Sequence, residues 1–116
     1  MARAQINGIG IAYEVHGKSN GQPVILTPGG RFTMDAPGIR EMATALADAG
    51  KLAVIYDRPN CGQSDVCLSG PSESEMQAEA LAGLIRHLGL DPTAIIGGSG
   101  GSRVSMLAAA RNPALC

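Results

Sequence analysis

Tryptophan is absent from this 116-residue chain, and its aromatic complement is one phenylalanine and two tyrosines. So few flat side chains leave little on which nucleobases could stack. Neither sign of charge is in excess. Nine Lys and Arg stand against ten Asp and Glu, a net charge of -1, which gives no electrostatic footprint for nucleic acid or an acidic membrane surface. No apolar run approaches a membrane span, and the first residues lack the apolar stretch of a signal peptide. A cytoplasmic protein without a membrane or nucleic-acid partner is therefore expected. The three cysteines, Cys61, Cys67 and Cys116, have no metal-ligand spacing. Reduced thiols are expected, with no metal and no other cofactor implied. Glycine, by contrast, is abundant at 16 residues, and alanine is frequent. That composition suits close packing of helices on a sheet.

Hydrophobic patterning divides the chain cleanly. Residues 3–7 and 9–15 read as short strands around Asn7-Gly8, the dipeptide favoured where both turn positions need positive φ. Ile9, Ile11, Tyr13 and Val15 alternate as a half-buried strand does. Pro23-Val24-Ile25-Leu26-Thr27 and Lys51–Tyr56 are continuous apolar runs, the pattern of strands covered on both faces. Between them Ile39, Met42, Ala43 and Leu46 recur at helical spacing, and Gly50 supplies the stop. Ser72 and Glu75 have capping-box spacing. Met76, Ala80, Leu81, Leu84, Ile85 and Leu88 then give the next helix its apolar face, and Gly89 closes it. A strand at about 93–97 and a helix from about Gly100 to Arg111 follow. The order β-β-β-α-β-α-β-α predicts an α/β fold. Its sheet is mostly parallel, with flanking helices and an antiparallel hairpin added at one edge.

Within that order one run carries chemistry. Ala94-Ile95-Ile96 leads into Gly97-Gly98-Ser99-Gly100-Gly101, a G-x-S-x-G between an apolar strand and a helix. This is the sequence form of a nucleophile elbow. Small residues are needed two before and two after Ser99, because strand and helix nearly touch there. Other readings fit less well. A Gly/Ser connector would not sit so tightly between two patterned segments. A Walker loop needs a lysine that is missing here. A dinucleotide fingerprint needs a third glycine where Arg103 stands.

Three motifs, in order, resemble the N-terminal half of the α/β-hydrolase fold family. They are Pro23–Gly30 (PVILTPGG), which resembles a strand entering an oxyanion loop, Tyr56–Asp65 (YDRPNCGQSD), which resembles the D-x-x-G-x-G-x-S-D segment after the next strand, and Ile96–Gly101 (IGGSGG), which resembles the elbow. Three departures stand out. Pro28-Gly29 replaces a common His-Gly, Asn60 replaces a usual glycine, and Gly98 sits where bulkier residues are common. The resemblance implies that residues 1–116 are a partial α/β-hydrolase domain ending after the elbow helix, with lid and later strands absent.

The resemblance also implies an activity. Ser99 would attack a small ester, or a carbonyl next to a C–C bond, through an acyl-enzyme type mechanism, with a small molecule as the only substrate partner. The backbone N–H of Gly100 and that of Gly30, with Arg31 second, would form the oxyanion hole. Serine rather than aspartate at the elbow disfavours the dehalogenases and epoxide hydrolases of this fold. Asp57 and Asp65 read as turn-stabilising side chains, Ser64 as a partner of the turn backbone, and Cys61 as a small packed residue.

A base is missing from this set. After Ser99 the sequence contains no Asp, Glu or His, and His16 and His87 both have structural readings. The 116 residues are therefore expected to be inactive alone and to self-associate through an uncovered sheet edge. A non-catalytic ligand-binding or interaction module of the same fold, and a nucleotide-binding domain, are the alternatives.

Overall fold

The computed structural model describes residues 2–29, 32–68 and 70–116. Its strands are β1 (Ala2–Ile6), β2 (Ile9–His16), β3 (Gln22–Thr27), β4 (Lys51–Tyr56) and β5 (Ala94–Gly97). Its helices are α1 (Ile39–Asp48), α2 (Glu73–His87) and α3 (Gly100–Arg111), with a 3-10 turn at Pro113–Leu115. The strands form one sheet in the order β1-β2-β4-β3-β5. β1 and β2 form an antiparallel hairpin, β2 is antiparallel to β4, and β3 is parallel to both β4 and β5. The hairpin turn has Asn7 at φ 53° and Gly8 at φ 80°, the positive pair that the dipeptide Asn-Gly predicts.

Alternation sorts each strand between two layers. Ile25, Val54 and Tyr56 face α2 and α3 together with Ile6 and Ile11. Val24, Leu26, Ala53 and Ile55 face α1 with Ala12 and Met34. α2 buries Met76, Ala80, Leu81, Leu84 and Ile85, the stripe legible in its spacing. Its N-cap Ser72 accepts from the Glu75 N–H at 3.1 Å. Glu75 turns instead to Arg111 on α3 at 3.1 Å, so only one half of the expected capping box forms.

β5 ends the sheet among the described residues. Its outer edge carries unpaired backbone groups, and its residues alternate between exposed and half-buried. The parallel strands β4, β3 and β5 all point their carboxyl ends to the same side, where the loops after β3 and β5 meet.

Candidate active site at the β5–α3 corner

Ser99 is the second of the two residues between β5 and α3, with φ 52° and ψ -120°. Positive φ in a residue with a Cβ costs about 1–3 kcal/mol and persists only where the surroundings impose it. Here they do so by close packing. A Cβ added to Gly97 would stand 2.6 Å from the Gly101 carbonyl oxygen, and one on Gly101 would stand 2.3 Å from that of Thr27. The strand, the helix and the end of β3 thus touch backbone to backbone, and a side chain at either glycine would force them apart. The Gly98 N–H also donates to the Thr27 carbonyl at 3.2 Å, and the Ser102 hydroxyl donates to the Gly97 carbonyl at 2.8 Å.

Ser99 is the N-cap of α3, yet its side chain makes no capping bond. Serine at that position normally accepts from the first helical turn. The corner instead leaves this residue exposed and its hydroxyl uncommitted among the described residues. Gly100 follows as the first residue of α3, so its N–H is one of the orphan donors of the helix start, at the positive end of the helix dipole.

The loop after β3 closes on the same point. A Cβ on Gly29 would stand 2.0 Å from the Gly98 carbonyl oxygen and 2.9 Å from the Gly100 nitrogen. Only a glycine lets this loop lie against the elbow. Gly30 and Arg31, expected to supply the second oxyanion donor, lie outside the described residues. Phe32 is 62% exposed. It lines a groove of about 600 Å³ with Leu26, Ile39, Met42, Ile96 and Ser99.

Asp57 follows β4 and is fully buried. Its carboxylate accepts from Met34 N at 2.9 Å and Gln63 N at 2.8 Å. It ties the segment after β3 to the turn after β4, a longer reach than the local turn contact its sequence context suggests. Gly62 in that turn has φ 52°, and a Cβ there would strike Asp57 Oδ2 at 2.2 Å. Asn60 holds φ 71° in the place of a glycine, and its side chain bonds the Cys67 backbone at both ends, at 2.8 and 3.0 Å. Asp65 also acts at long range, accepting from Gly10 N at 2.8 Å and pairing with Arg3. Ser64 donates to the Asp57 carbonyl at 2.6 Å and accepts from Ala12 N. Cys61, Cys67 and Cys116 are free thiols.

Neither histidine is hydrogen-bonded to Ser99 among the described residues. His16 Nε2 lies 3.1 Å from Glu14 Oε1, and His87 is exposed in the last turn of α2. Glu14 itself is held down to about 2, first by its bonds to Arg40 and then by His16, against the opposing effect of partial burial.

A pairing that the sequence did not reveal joins the turn after β4 to α2. Arg58 and Gln77 are both buried and bonded at 3.0 Å, and Gln77 also donates to the Pro59 carbonyl at 3.1 Å. Burial likewise pushes the Tyr56 hydroxyl well above its ordinary value while it shares a 3.0 Å bond with Thr27.

The sequence pattern of the alpha/beta hydrolase fold matches residues 22–116. The chain belongs to the alpha/beta hydrolase fold family. A 2-hydroxy-6-oxononadienedioate/2-hydroxy-6-oxononatrienedioate hydrolase from Dechloromonas aromatica is 40% identical over 68 residues, which are 59% of this chain and 24% of that protein. An alpha/beta hydrolase from Sphaerobacter thermophilus is 32% identical and superposes at a TM-score of 0.79, covering 96% of this chain and 40% of its own. An epoxide hydrolase variant from Vigna radiata superposes at 0.87 with 22% identity over 97% of this chain and 35% of its own, a likeness of fold. The chain thus spans well under half the length of these hydrolase-fold relatives. Among the described residues, no helix is long and apolar enough to cross a membrane.

Proposed function

We propose that this chain carries the nucleophile and oxyanion hole of a serine hydrolase acting on a small ester or on a C–C bond adjacent to a carbonyl. The observation that carries the reading is the strained corner at Ser99, where an exposed serine in N-cap position makes no side-chain hydrogen bond among the described residues. In the mechanism, Ser99 Oγ attacks the carbonyl carbon, its proton passes to a base, and the carbonyl oxygen becomes an oxyanion. The Gly100 N–H receives that charge at the helix start, and Gly30 N–H is the proposed second donor. Each is worth about 3 kcal/mol to the transition state. The C–C variant draws support from the Dechloromonas relative, whose name describes hydrolysis of a 6-oxo dienedioate.

Among the described residues, no histidine or carboxylate is hydrogen-bonded to Ser99. We therefore propose that the 116 residues alone turn over substrate negligibly, in the cytoplasm as elsewhere, and that a non-catalytic ligand-binding role is the second reading. The apolar groove beside Ser99 is the observation that favours that second reading. Treatment with a fluorophosphonate probe separates the two. Covalent labelling of the wild type that disappears in Ser99→Ala supports the nucleophile. Equal labelling of both proteins, or a thermal shift with nucleotides in place of labelling, sinks it.

A further inference from the structure

Resting on that reading of Ser99, we infer that the groove beside it binds an uncharged apolar group of the substrate, and that Gly98 is the residue that keeps it open. The groove is about 600 Å³, within the range that holds a small ligand. Its large side chains are Leu26, Phe32, Ile39, Met42 and Ile96. Phe32, Met42 and Ile96 remain 62%, 45% and 39% exposed, which leaves apolar surface facing open space beside the nucleophile. Thr27 also borders the groove, but its hydroxyl is taken by Tyr56 at 3.0 Å. Ser99 is thus the polar side chain available there among the described residues. A substrate whose carbonyl sits at Ser99 would place its apolar arm over Ile96 and Met42.

Gly98 borders the same space. A Cβ there meets nothing within 4 Å, and its φ lies outside the left-handed region. Neither packing nor backbone conformation requires glycine at this position, in contrast to Gly97 and Gly101. A larger side chain fits the fold and would project into the groove. Position 98 therefore sets how much room the apolar arm has.

The test uses the 116-residue chain with its methionine and isoleucine methyls labelled for NMR, titrated with octanoate and with octanedioate. It is run on the wild type and on Ser99→Ala. Octanoate is expected to shift the Met42 and Ile96 methyls and to bind at least about tenfold more tightly than octanedioate, because among the described residues no charged side chain lines the groove to receive a second carboxylate. Gly98→Leu is expected to weaken octanoate at least about tenfold by filling the space. Met42→Lys, changed at an exposed position, is expected to reverse the preference towards octanedioate. Octanedioate binding as tightly as octanoate, shifts confined to other methyls, or no octanoate binding would overturn the inference. Octanoate selectivity retained in Ser99→Ala supports the groove whatever the outcome of covalent labelling, so the two readings fail separately.

Discussion

Replacing Gly101 by alanine should unlock the corner that presents Ser99. The new Cβ would sit 2.3 Å from the Thr27 carbonyl oxygen and 2.8 Å from that of Pro28. Both neighbours are backbone, one of them in a buried strand, so no flexible side chain can swing away. Overpacking of this kind costs about 3 kcal/mol at the upper end of its range. Alanine in place of glycine inside a helix returns about 1 kcal/mol, which leaves a net loss of about 2 kcal/mol. For a chain of this size a loss of 1 kcal/mol lowers Tm by about 4 °C, so Gly101→Ala should unfold about 8 °C earlier. Gly98→Ala is the internal control. Its Cβ meets nothing within 4 Å, and reduced freedom of the unfolded chain should leave stability unchanged or raised by up to about 1 kcal/mol. Thermal unfolding followed by circular dichroism gives both values. Equal Tm values for the two variants would refute the argument that backbone contact shapes this corner.

Other perturbations follow from the same structure. Asp57→Ala leaves the N–H groups of Met34 and Gln63 without the acceptor they share, one of them fully inside the fold. Denaturant titration should show a loss of about 3 kcal/mol, and a variant as stable as the wild type would contradict the bridging role. Glu14 has its folded-state value lowered from 4.5 to about 2 by its bonds to Arg40. A depressed carboxylate stabilises the fold fully above its unfolded value and loses that contribution as pH falls towards the folded one. Stability of the wild type should therefore decline between pH 4.5 and about 2, and Glu14→Gln should flatten that limb. An unchanged limb in the variant would assign acid sensitivity to other groups.

Much of the fold could be read from local pattern because the local signals agree with one another. Asn7-Gly8 encodes its turn through backbone preference. The spacing of Met76, Ala80, Leu81, Leu84 and Ile85 encodes a buried stripe. The glycines around Ser99 encode a corner because contact at that corner leaves no room for a Cβ. What escaped the sequence are contacts made at a distance. Asp57 reads as a turn residue because nothing local announces that Met34 N will arrive beside its carboxylate. Arg58 and Gln77 carry no local signal of their pairing, which lets both be buried. Met42 has the spacing of a core residue, but α1 carries it to the rim of the groove, where it remains 45% exposed.

The central claim is that Ser99, and no other hydroxyl, is the nucleophile. Its most direct measurement is peptide mapping by mass spectrometry after reaction of the 116-residue chain with a fluorophosphonate, with imidazole added as an external base. The account predicts a single adduct on Ser99 whose rate of formation rises with imidazole. An adduct on Ser64, Ser102 or Ser105 instead, or an unmodified Ser99 at saturating imidazole, would contradict it.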